Sequence, residues 1–128
     1  MSEDIEGAKE QARSQLDSIV EMMKRLDHIE GNEDEAKEAI TEGPLSVQVR
    51  SDWHEPGDGN DKPTEYNILL CTGGPAVRII GDLDEHGQPE NAKLEYQNWF
   101  TPWIRYANTS IDEDTALLNY AREFYFGE

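Results

Sequence analysis

The sequence predicts a single α+β domain: a long N-terminal helix, a short second helix, a four-stranded antiparallel sheet, and a C-terminal helix packed on the sheet. Three observations carry this reading. Apolar residues recur at three- and four-residue steps through residues 1–43, then switch to alternation at Leu45. The alternating runs follow one another with short connections, the mark of antiparallel hairpins. A capping-box pattern at Ser110 then opens a second helical period. At 128 residues the chain can build one core of two layers and is too short for two independent cores.

The elements follow in order. In residues 1–43, Ile5, Ala8, Ala12, Leu16, Ile19, Met23 and Leu26 share one face, which predicts a helix of about six turns. Gly31 and Asn32 break it, and Asn32 with Glu35 has the spacing of an N-cap and its reciprocal carboxylate. A second helix is expected over 33–41, stopped by Gly43-Pro44.

The sheet occupies 44–106. Leu45, Val47, Val49 and Trp53 alternate with Ser46, Gln48, Arg50 and Asp52, which reads as a half-buried strand. HEPGDGNDKP, 54–63, is loop chemistry. Further strands are expected over 65–71, 76–83 and 92–99, joined by TGGP and DEHGQPEN. After NWFTPW, whose Trp99 is read as core along with Trp53, the helix over 110–126 presents Leu117, Leu118, Ala121, Phe124 and Tyr125 on one face.

Charge limits the function classes. With 28 acids against 11 bases the net charge is −17, and that field opposes direct binding of nucleic acid or an anionic membrane. It attracts basic protein surfaces, including those that hold nucleic acid. Cys71 is the single cysteine, so no disulfide framework forms and a reducing cytoplasm is the expected compartment. MSEDIEGAKE lacks the apolar segment of a signal peptide, and no stretch approaches the roughly 20 apolar residues of a membrane span.

The motifs that suggest chemistry fail on context. LCTGGPAV, 70–77, places Cys71 beside two glycines, but the glycines are adjacent, no Lys follows, and the next segment is a strand. It reads as a hairpin turn with Cys71 as strand-end filler. Asp82-Leu-Asp84-Glu-His86-Gly87 opens like a calcium loop, yet the fifth position is His and the twelfth is Lys93, which leaves a turn with solvated acids. His28, His54, His86 and Cys71 have no zinc spacing. No catalytic residue, metal site or cofactor is therefore assigned.

A row of carboxylates is more informative. At 100° per residue Glu3, Glu6, Glu10, Asp17 and Glu21 fall on one stripe opposite the apolar face, about 4.5 to 10 Å apart along the axis. Such a row can imitate a nucleic-acid backbone, although Arg13 and Lys24 lie close to it. Asp112, Glu113 and Asp114 add charge at the C-terminal helix start, where they also favour the helix dipole. Trp103, after Pro102 and outside a regular strand, is the candidate aromatic anchor.

The segments LCTGGPAVRIIGDLDEHGQPENAKLEYQNWFTPW and LLNYAREFYFGE resemble a set of small acidic proteins of bacteriophages and prophages of Gram-negative bacteria, over roughly residues 44–128. The resemblance implies a mobile-element origin and carries over no catalytic residue. With the charge, it leads to the expectation of a non-enzymatic inhibitor that binds a basic surface of a host nucleic-acid-binding protein, of anti-restriction or anti-CRISPR type. A structural accessory that dimerises through the apolar side of helix 1 is the alternative, and a carboxylate enzyme with a sheet cleft the third.

Overall fold

The computed structural model describes residues 2–28, 33–51, 56, 63–72, 75–98, 102–107 and 109–124, with the side chains of 2–6, 27, 28, 33 and 36 outside that description. It contains α1 (Ser2–His28), α2 (Glu33–Glu42), β1 (Ser46–Arg50), β2 (Glu65–Cys71), β3 (Pro75–Asp82), β4 (Lys93–Asn98), β5 (Ile104–Arg105) and α3 (Ile111–Ala121). The strands form one open antiparallel sheet in the order β1-β2-β3-β4-β5. The α+β class is as expected, and the sheet has five strands where the sequence predicted four. β5 pairs Ile104 with Tyr96 and Arg105 with Glu95, and a two-residue strand is too short to show a period in sequence.

α1 forms because its apolar residues hold the helical period. Ala8, Ala12, Leu16, Ile19 and Met23 are buried, and the helix packs across β3 and β4 and against α3. The sheet meets it with Tyr66, Ile68, Val77, Ile79, Leu94 and Tyr96. Each fully buried Leu or Ile contributes about 1.5–3 kcal/mol, so this seam is the main store of stability. α2 adds Ile40 to the same core. α3 adds Leu117, Tyr120 and Ala121, with Phe124 just beyond it, and Tyr120 meets Phe124 edge-on at 5.3 Å.

The cap read at Ser110 is present. Its hydroxyl accepts the Glu113 N–H at 3.1 Å, and the Glu113 carboxylate accepts the Ser110 N–H at 2.9 Å. α3 ends at Ala121, short of the expected 126. The Asn32 cap, Trp53, Trp99, Phe100, Tyr125 and nearly all of the loop 54–63 lie outside the described residues.

The two hairpins explain the motifs that failed. Cys71 ends β2 opposite Val77 after a register shift at Leu70, and burial pushes its thiol up, so it stays protonated at neutral pH. Between β3 and β4, Asp84 accepts the N–H groups of His86 and Gln88, while Gly87 takes the positive φ of 77° that the turn requires. Those donors hold the Asp84 carboxyl below its usual range, and no cluster suited to a metal ion occurs among the described residues.

The helix layer stops short of β1. Leu45, Val47 and Val49 keep the predicted alternation toward the helix side, but they are 59%, 39% and 44% exposed instead of half-buried. Alternation reports which face a side chain takes; it does not report whether a second layer reaches that far.

Candidate functional site

The acidic face lies where α1 turns away from the sheet. Glu10, Asp17 and Glu21 are exposed opposite the buried stripe of α1. At 1.5 Å per residue Glu10 and Asp17 are about 10 Å apart along the axis, and Asp17 and Glu21 about 6 Å. Glu3 and Glu6 belong to α1, but their side chains are among those not described. The exposed three rim a shallow depression that also holds Arg13, Ser14, Ser18 and Met22.

Arg13 joins this face to α3. Its Nη2 lies 2.6 Å from Glu113 Oε2 and 3.1 Å from Asp17 Oδ1, and the guanidinium also hydrogen-bonds Tyr106. The sequence placed Arg13 near the acidic row as a diluting charge. In the fold it is engaged by Glu113, brought from a hundred positions away, so Glu10 and Glu21 keep their charge uncompensated by it. The same contact sets the first turn of α3 beside the middle of α1. The Ser110 N–H and then Arg13 hold the Glu113 carboxyl below its ordinary value. Asp114 accepts the Thr109 hydroxyl at 2.6 Å, and Asp112 is exposed.

Trp103 does not join this patch. Val77 and Ile79 are buried under α1, so Arg78 between them faces the other side of the sheet, and its guanidinium stacks 4.1 Å from the Trp103 ring. Arg78 also pairs with Glu95 at 2.7 Å, which makes Trp103 a half-buried partner of an ion pair.

That outer sheet face is a second candidate, and sequence reading missed it. Register aligns three rows across it: Arg50, Glu65 and Asp82; Gln48, Asn67, Ile80 and Lys93; Leu69, Arg78, Glu95 and Arg105. Residues of all three rows line an open cleft of about 610 Å³. The rows hold four bases and three acids, so the charge that makes the protein acidic is concentrated elsewhere. Glu65, hydrogen-bonded by Arg50, is held below its ordinary value and is unsuited to donate a proton at neutral pH. The Asn67 Oδ1 atom is buried without a hydrogen-bond partner. Arg78, a charge inside the apolar run AVRIIGD, was the one legible sign of this face.

The apolar stripe of α1, on which the alternative reading of a helix-paired dimer rests, is covered by the protein's own sheet and α3. No helix among the described residues is long and apolar enough to cross a membrane. Comparison with protein-family models, with curated proteins and with solved structures returns no match.

Proposed function

We propose that this is a non-catalytic binding protein whose α1 face docks on a basic surface of a nucleic-acid-binding protein and keeps nucleic acid off it, as an anti-restriction or anti-CRISPR inhibitor of phage origin would. The observation that carries the reading is the exposed row Glu10, Asp17 and Glu21, in which the neighbouring cation Arg13, shared between Glu113 and Asp17, leaves the charges of Glu10 and Glu21 uncompensated by it. Complementary charge accelerates encounter and excludes a competing polyanion. The partner is a basic groove of a host protein, with no cofactor and no direct contact to nucleic acid or membrane.

The test uses tagged protein in lysate of a Gram-negative bacterium at low and high salt, with DNA as competitor. A captured nucleic-acid-binding protein should leave as salt rises and be displaced by DNA. Glu10→Gln, Asp17→Asn and Glu21→Gln together should weaken that capture at least tenfold, a loss of about 1.4 kcal/mol. Glu38→Gln, Glu85→Gln and Glu90→Gln, which remove the same charge elsewhere, should weaken it far less. Equal losses in the two triples, or indifference to DNA, would overturn the reading.

A further inference from the structure

We infer that β1 is a self-pairing edge through which two copies join their sheets. Four large apolar residues are exposed among the described residues, and three of them, Leu45, Val47 and Val49, lie on one face of this edge or its lead-in. β1 bonds only β2, so alternate backbone groups along its other side have no strand partner among the described residues. An apolar row and an open ladder edge therefore coincide on five residues.

The occupant is a second copy because β1 is complementary to itself. Placed antiparallel with Val47 on the two-fold axis, Val47 faces Val47, Leu45 faces Val49, and Val49 faces Leu45 of the second copy. All three pairs fall on the helix side, and β-branched cross-strand pairs stabilise a ladder. On the other side Ser46 faces Gln48, so no like charges stand opposite one another. Arg50, held by Glu65 of its own chain, comes opposite Pro44 of the second copy, so no like charges are opposed at either end. The contact is isologous and closes at two copies. The result is a continuous ten-stranded sheet with both helix layers on one side.

A five-residue edge lies at the small end of specific interfaces, so the dimer is weak and depends on concentration. Each copy carries −17, and added salt screens that repulsion. Self-pairing therefore strengthens with salt, the opposite sign to docking on a basic partner.

Sedimentation equilibrium of the full chain from micromolar to millimolar concentration, at low and moderate salt, tests this. The expected result is a monomer that becomes a dimer at high concentration, at least tenfold more readily in the higher salt. Val47→Lys and Val47→Glu should each abolish the dimer while circular dichroism stays native, and mixing the two should restore a one-to-one heterodimer. A wild-type chain that stays monomeric at millimolar concentration overturns the proposal. So does a dimer that survives Val47→Lys, a mixture that fails to pair, or an edge that takes only an unrelated extended peptide.

Discussion

Glu113 shows how one side chain sets both a local and a long-range feature. It accepts the Ser110 N–H as half of a capping box, receives Arg13 from α1, and lies in the first turn of α3 where a negative charge is favoured. All three favour the charged form, and the carboxyl is accordingly held below its ordinary value of 4.5. Because the folded value lies below the unfolded one, the stability it contributes is fully present above about pH 4.5 and is lost as pH falls through the depressed value. Glu113→Gln should therefore destabilise the protein at pH 7, and the gap to wild type should narrow toward pH 3. Urea unfolding at both pH values measures it. A gap that does not change with pH would assign the role of Glu113 to shape instead of charge.

At the scale of elements, the β3–β4 hairpin closes over Gly81. Tyr66 stands opposite Gly81 in the register, and its hydroxyl donates to the Asn91 carbonyl on the far side of that glycine. A Cβ at position 81 would strike the Asn91 carbonyl oxygen and come within 2.7 Å of the Tyr66 ring. Neither neighbour has room to retreat, since Tyr66 is buried and the Asn91 side chain is tied to Asp82. Gly81→Ala should cost about 3 kcal/mol or more, at the upper end for overpacking, read as a lower urea midpoint at unchanged slope. A loss under about 1 kcal/mol would mean that this hairpin shifts its backbone freely. Nothing in sequence marks Gly81, because the clash is with a residue ten positions on. The elements themselves were legible: the period of Ala8, Ala12, Leu16 and Ile19 places α1, and alternation places β1 through β4. What was not legible depends on tertiary reach. β5 is too short for a period, the exposure of Val47 follows from where the helix layer stops, and the Arg13–Glu113 contact joins opposite ends of the chain. For the candidate site, the acidic row on α1 could be read from spacing alone, whereas the split that puts Trp103 on the other face of the sheet needed the register of β3 against β4.

For the whole molecule the balance of charge decides the response to salt. Ion pairs such as Arg13–Glu113, Arg50–Glu65 and Arg78–Glu95 stabilise the fold, and screening weakens them. The most exposed of them, Arg50–Glu65, belongs to a class whose members contribute about 0–1 kcal/mol each, and the other two are half-buried. Against them stands an excess of 17 acids, many exposed on α1, α2 and the β3–β4 turn, whose mutual repulsion is concentrated by folding. Repulsion acts over many unpaired charges at once, while the pairs are few, so relief of repulsion should win. Raising sodium chloride from near zero to a few tenths molar at pH 7 should stabilise the native state by about 1 kcal/mol. For a chain of this length that corresponds to a rise in Tm of roughly 3–5 °C. Chloride is the salt to use, because sulfate strengthens apolar burial and would raise Tm for a different reason. Melting followed by circular dichroism, at a concentration low enough to hold the monomer, separates this effect from pairing through β1. A Tm that falls with chloride would mean that the local pairs outweigh the field, and would remove the ground for treating the α1 face as a surplus of negative charge.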